Sequence, residues 1–219
     1  MAVVGIVPAG GFGERLGARV PKAFVLLGGR PLVDWSVEVL AAVCERVVVA
    51  VPRGYEDGAD RVPGGASRSA SVKAALAAAP EATVAVVHDA ARPLVAPELV
   101  ERCIAALGDG FDGAIAAAPM TDTVKETAPD GRVVRTLDRS SLWAIQTPQV
   151  FRAELLRRAL DVDERALAAA TDDAALVEAA GGRVRVVPAS PDNLKVTSAL
   201  DLELAEALLR SRGGARAGR

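Results

Sequence analysis

An open α/β sheet, mostly parallel and flanked by helices, is the fold class this sequence predicts. Short β-branched runs alternate with longer helical stretches, the pattern of repeated strand–helix–strand units. Apolar residues are nearly continuous within those runs, as expected of strands covered on both faces. The composition is 51% hydrophobic but only 3% aromatic, so the core is built from Val, Leu, Ile and Ala. Such a core suits packed parallel strands and helices better than an aromatic-rich sandwich.

Core strands are predicted at Val3–Val7, Arg46–Val51, Thr83–Val87, Gly113–Ala117 and Arg183–Val187. Helices are predicted at Leu32–Val43, Ser69–Ala79, Pro97–Leu107, Arg152–Leu160, Asp172–Ala180 and Ser198–Leu209. Pro97 suits a first helical turn and Gly181-Gly182 a helix stop. One region breaks the alternation. Thr121–Lys125 and Val133–Leu137 flank the turn signal Ala128-Pro129-Asp130-Gly131 and predict an inserted β-hairpin arm at about 120–147. An isolated hairpin is marginal in water, so a partner subunit is expected to cover it. The 219 residues fit one domain, 1–211, followed by a disordered tail over 212–219.

Lys and Arg total 26 against 28 for Asp and Glu, which argues against a nucleic-acid binder relying on a broad basic surface. Cys44 and Cys103 lie in apolar helical patterns without metal-site spacing and read as buried free thiols. The N-terminus lacks a basic n-region and reads as a first strand rather than a signal peptide. No apolar run approaches the ~18 residues of a membrane span. A cytoplasmic protein is the expectation.

Ligands on open α/β sheets bind at the carboxyl ends of strands, here just after Val7, Val51, Val87 and Val187. Pro8–Leu16 follows the first strand, and its small residues at 9, 10, 11 and 13 let backbone N–H groups approach a polyphosphate. It is neither a Walker A loop nor a dinucleotide fingerprint, because Gly-Lys-Ser/Thr is missing and Leu16 stands where the latter needs glycine. Arg15 and Lys22 behind this loop are placed to flank a triphosphate and neutralise charge growing on a reacting phosphorus. Asp89, in His88–Pro93, is placed to meet a metal ion riding on phosphates, and Arg92 to grip a phosphate. His88, the only histidine, is assigned no general-base role. Gly64–Val72 is a second glycine-rich segment. Ser71 either bonds a ribose or phosphate or sits in the first turn of a helix capped by Ser69. Asp192–Thr197 adds a carboxylate and Lys195 at another strand end. Arg139, near the end of the arm, is by itself a solvated charge.

Taken together, Pro8–Leu16, Pro21-Lys22, Gly64–Val72, His88–Pro93, Thr121–Lys125, Asp138-Arg139, Leu142–Gln149, Thr171-Asp172 and Asp192–Thr197 resemble the 2-C-methyl-D-erythritol 4-phosphate cytidylyltransferases, in order and spacing. The resemblance implies a Rossmann-like nucleotidyltransferase fold, Mg²⁺ dependence and a homodimer joined through the arm. It implies transfer of CMP from CTP to 2-C-methyl-D-erythritol 4-phosphate, an early step of non-mevalonate isoprenoid synthesis. Arg15, Lys22, Arg139 and Lys195 would be catalytic. Ala9, Gly10, Gly11, Gly65, Ser71 and Ala90 would bind CTP. Asp89, Arg92, Thr123, Thr147 and Thr197 would face the second substrate, with Thr123 and Arg139 reaching it from the partner's arm. Asp89 and Asp192 would serve the metal. Two departures stand out: Gly10 where the family commonly has alanine, and Ala66 where it often has an acidic residue. The rival readings are a ribitol-5-phosphate cytidylyltransferase, disfavoured by Ala91, and a non-catalytic nucleotide sensor, disfavoured by the joint presence of Arg15, Lys22 and Lys195.

Overall fold

The structure, a computed structural model, describes residues 1–11 and 20–217. Its first strand, β1 (Val3–Pro8), alternates side chains between two apolar layers. Val4 and Ile6 join Val48, Val72, Leu76 and Phe151 in one layer, while Val3 and Val7 join Leu40, Val49, Val86 and Val100 in the other. Burial on both sides is why the run reads as uninterruptedly apolar.

The remaining strands are β2 (Leu26–Leu27), β3 (Arg30–Pro31), β4 (Arg46–Val51), β5 (Arg61–Pro63), β6 (Val84–Val87), β7 (Gly113–Pro119), β8 (Lys125–Thr127), β9 (Val133–Thr136), β10 (Trp143–Arg152) and β11 (Val184–Pro188). The helices are α1 (Leu32–Ala41), α2 (Arg68–Ala77), α3 (Pro97–Ala105), α4 (Ala153–Ala159), α5 (Glu164–Ala169), α6 (Asp173–Ala179) and α7 (Ala199–Ala217). A 7-stranded sheet is ordered β11-β7-β10-β6-β1-β4-β5. Within it β10 runs antiparallel to both neighbours and the other pairings are parallel. Helices α1 and α3 cover one face, and α2, α4, α5 and α6 the other. Helix α7 packs through Ala205 on a smaller cluster of Leu27, Leu32, Leu94 and Val196.

From β1 the chain moves outward to β4 and β5, then returns to β6 on the opposite side of β1. That reversal is a topological switch point, where the loops leaving two adjacent parallel strands diverge and open a crevice.

The five predicted strands and six predicted helices are all present, all but β4 with shifted ends. Strand β10 was not predicted. Pro148 and the polar Gln146, Thr147 and Gln149 argue against a central strand, since proline cannot donate to a ladder. The strand accommodates them by breaking its register with β7 between Ile145 and Gln149, where the Thr147–Pro148 bond is cis. Helix α5 and the small strands β2, β3 and β5 were also unpredicted. In the arm, the first strand is Lys125–Thr127, further along than the predicted Thr121–Lys125. The turn sets this register: Gly131 N donates to Ala128 O at 2.9 Å with Gly131 at φ +82°, and Lys125 pairs with Thr136. Every residue of β8 and β9 is exposed, including Val133 and Val134. Helix α7 reaches Ala217, into the segment expected to be a disordered tail.

Candidate active site

The crevice at the switch point holds a cleft of about 240 Å³ lined by the end of β1 and its loop (Pro8–Gly11), Lys22, the Gly65–Arg68 loop with Ser71, Asp89–Ala91 after β6, and Lys195. A second cavity of about 260 Å³ shares Arg68, Asp89 and Lys195 and adds Arg92, Gln146, Thr147, Gln149 and Asp172. These three shared charged residues form the seam between the two spaces.

Asp89 is the hub of that seam. Its Oδ1 accepts from Arg68 Nε at 2.8 Å and its Oδ2 pairs with Lys195 Nζ at 2.6 Å. Burial opposes its charge, yet Arg68 and Lys195 outweigh burial and hold the carboxyl well below the usual carboxylate range. Its backbone is fixed too, because Asp89 N donates to Thr147 Oγ1 at 3.0 Å. The register break in β10 explains how Thr147 gets there. With Gln149 opposite Val87, the preceding residues lie beyond the end of β6, beside His88 and Asp89. His88 is fully buried, with Nδ1 3.0 Å from Thr147 Oγ1 and Nε2 3.1 Å from Arg92 O. Burial pushes its imidazole down to about 4, so it is neutral near pH 7, with its proton on Nε2 facing the Arg92 carbonyl. Its ring is spent on holding the loop, in keeping with the refusal of a general-base role.

The Gly64–Ser71 segment is also self-bonded. Ser67, not Ser69, caps α2: Ser67 Oγ accepts from Ala70 N at 3.1 Å. Ser71 Oγ accepts from Gly65 N at 3.1 Å and donates to Ser67 O at 2.9 Å, so it holds the loop as well as lining the cleft. A Cβ at Gly65 would meet Ala70 Cβ at 2.5 Å, so only glycine fits this close approach. A Cβ at Gly10 would lie 3.3 Å from Ser71 Oγ, a tight but soft contact. Ala66 lines the cleft without a polar side-chain atom.

Ala9, Gly10, Gly11, Lys22, Gly65, Ser71, Asp89, Ala90 and Lys195 therefore converge on one cleft. Arg15 lies outside the described residues. Arg92 and Thr147 line the adjoining cavity. Arg92 spends two guanidinium nitrogens on backbone, Asn193 O at 2.6 Å and Ile145 O at 3.4 Å, and its buried Nε has no hydrogen-bond partner. Asp192 and Thr197 belong to neither lining. Asp192 is exposed, and the Thr197 hydroxyl donates to Asp201 Oδ2 at 2.6 Å as part of the turn that starts α7. Thr123 and Arg139 are exposed on the arm, where Arg139 donates to Thr121 O. Arg68 and Asp173 are residues that sequence reasoning missed. Arg68 Nη1 pairs at 2.7 Å with Asp173, whose side chain is fully buried.

Among the described residues no cluster of three or more His, Cys, Asp and Glu is arranged to hold a metal ion, and no helix is long and apolar enough to cross a membrane.

Comparison with known proteins gives the same picture from outside the geometry. The family model described as 2-C-methyl-D-erythritol 4-phosphate cytidylyltransferase matches residues 3–211. Proteins of that name from Frankia casuarinae and Nocardia farcinica are 46% and 45% identical. The first alignment covers 94% of this chain and 81% of the relative, the second 96% and 95%. The crystal structure of the Thermus thermophilus protein of that name superposes with a TM-score of 0.80 at 38% identity, covering 96% of this chain and 100% of that one. With the switch-point cleft and its charged seam already placed, these likenesses settle the kinship: the chain belongs to the 2-C-methyl-D-erythritol 4-phosphate cytidylyltransferase family of nucleotidyltransferases.

Proposed function

We propose that this protein transfers CMP from CTP to 2-C-methyl-D-erythritol 4-phosphate, giving 4-diphosphocytidyl-2-C-methyl-D-erythritol and pyrophosphate in non-mevalonate isoprenoid synthesis. The observation that carries the reading is the convergence of glycine-loop backbone, Lys22, Arg68 and Lys195 on one cleft, in a chain whose relatives from Frankia, Nocardia and Rubrobacter bear that enzyme's name. The ribitol-5-phosphate and sensor readings find no support among them.

The substrate phosphate attacks the α-phosphorus of CTP in line, a new P–O bond forms, and the bond from the α-phosphorus to the bridging oxygen breaks. The electron pair leaves with pyrophosphate. An ionised phosphate needs no base, so positioning and cations suffice, consistent with a neutral, fully engaged His88. Gly10 and Gly11 would offer backbone to the triphosphate, and Lys22, with Arg15, would balance charge developing at the α-phosphorus. The Gly65 segment would bound a small base site. Lys195 and Arg92 would face the second substrate.

Mg²⁺ fits this site as an ion carried in on the phosphates, because such ions take one or two carboxylates plus phosphate and water oxygens. Asp89, an ionised carboxylate on the cleft wall, is the residue that would hold it. When bound, the ion supplies charge neutralisation on the phosphates. Asp192 is exposed and off the cleft lining, so it is not assigned to the ion.

The arm is assigned to a two-fold homodimer. Its β8–β9 ribbon exposes Val133 and Val134 and has no core of its own. Thr123 and Arg139 would then enter the partner's site. The compartment proposed is the cytoplasm. Cys44 and Cys103 are free, and burial pushes both thiols up to about 12.

Pyrophosphate release with Mg²⁺, CTP and methylerythritol phosphate tests the assignment. CTP is expected to be used far better than UTP, ATP or GTP, and comparable turnover with UTP or ATP overturns the cytidylyl reading.

A further inference from the structure

We infer that Arg68 is a positioning residue for the reaction: anchored by buried Asp173, it fixes the Asp89 carboxylate in the cleft while Lys195 exchanges partners. The inference rests on the cytidylyl-transfer reading and deepens it.

The two cations on Asp89 differ in freedom. Lys195 has a side chain 41% exposed, on a long unbranched stem at the seam of both cavities. An ammonium there can leave Asp89 for an incoming phosphate. Arg68 cannot leave so readily. Its guanidinium bridges two carboxylates through different nitrogens, Nε to Asp89 at 2.8 Å and Nη1 to Asp173 at 2.7 Å. Burial opposes the charge on Arg68, but Asp89 and Asp173 outweigh it and hold the group above its usual range. When Lys195 moves to substrate, Arg68 is the partner that keeps Asp89 aimed.

Asp173 Oδ1 is buried without a hydrogen-bond partner, so the residue is held through its place in α6. It is the first residue of α6, next to Asp172, whose carboxylate accepts from Gln149 Nε2 at 2.8 Å and from Ala175 N at 2.9 Å. The anchor of Arg68 is thus tied to β10, the strand that also carries Thr147 to the Asp89 backbone. A structural ion pair alone explains this poorly. Arg68 occupies the first turn of α2, where a cation opposes the helix dipole, and it lines both cavities. A buried pair that served only stability could be replaced by apolar residues at little cost, or with gain.

That difference is the test. The double variant Arg68→Met/Asp173→Leu removes both partners and leaves no lone buried charge between them. It is expected to melt near the parent temperature, with kcat for CTP and methylerythritol phosphate lowered at least tenfold and calorimetric CTP binding changed less than about threefold. Arg68→Lys keeps the charge but not the two-pronged bridge, and is expected to lose about tenfold in kcat with the fold intact. If the double variant does not fold, Arg68→Lys decides. A folded variant of either kind with kcat within twofold of parent overturns the proposal. A parent enzyme inactive with these substrates would instead overturn the functional reading, so the two failures are distinguishable.

Discussion

His88 is the only histidine in the chain, and its surroundings decide its charge. Its folded value of about 4 lies below the ordinary 6.5, chiefly through burial. Between those values the unfolded chain binds the extra proton, so folding stability falls as pH drops through this window and is unaffected by His88 above it. From pH 7 to pH 5 the loss should be about 2 kcal/mol, read from urea unfolding. In His88→Gln the slope should largely vanish; an unchanged slope would place the titrating group elsewhere. Lys22 presents the opposite case, a cation at an open cleft. Lys22→Ala should lower kcat by roughly 10²–10³ with the fold intact, the scale of losing one preorganised charge stabiliser. A raised KM with normal kcat would mean that Lys22 only binds substrate. Lys22, Asp89 and Lys195 were legible because each follows a glycine loop or a strand end. Arg68 and Asp173 were not. An arginine beside a predicted cap serine and an aspartate in a first helical turn read as ordinary helix starts, and their pairing spans 105 positions of sequence.

At the level of elements, the loop Gly64–Ser71 is stiff because it bonds to itself and presses against the start of α2. Gly65→Ala would drive a methyl group into Ala70, whose backbone carbon would lie 2.8 Å away and cannot yield without moving the helix. It should raise the CTP KM at least tenfold with little change in melting temperature, since a displacement of about 1 Å at a binding loop is costly. Gly10→Ala meets only a hydroxyl at 3.3 Å and should change the same KM less than about threefold. Equal effects at the two positions, by steady-state kinetics and calorimetry, would remove the steric argument. Strands β1, β4, β6 and β7 were legible because both faces bury apolar side chains, and the half-buried edge strand β11 from its run of valines. Strand β10 was not, because Pro148 interrupts it where the ladder breaks, and that break is what delivers Thr147 to Asp89.

For the whole molecule, the sheet and its switch point were legible from the rhythm of strands and helices, whereas the proposed dimer rests on an arm whose two strands are exposed throughout. If the arm completes a neighbour's site, Lys22→Ala and Arg139→Ala homodimers should both be nearly inactive. Refolding them together should restore about a quarter of parent activity, because half the dimers are mixed and one site in each is whole. Subunit exchange without recovery would rule out the shared site. The arm also leaves the sheet in an unusual way. Strands β7 and β10 are consecutive members of the 7-stranded sheet, and Pro119 pairs directly with Trp143 where the arm departs and returns. Residues 120–142 are therefore an excursion from the tip of a hairpin, and no strand of the main sheet depends on their length. Insertions and deletions there can accumulate without re-registering a single ladder. A chain in which a short Asn-Gly turn joins Pro119 to Trp143 should sediment as a folded monomer that still binds CTP.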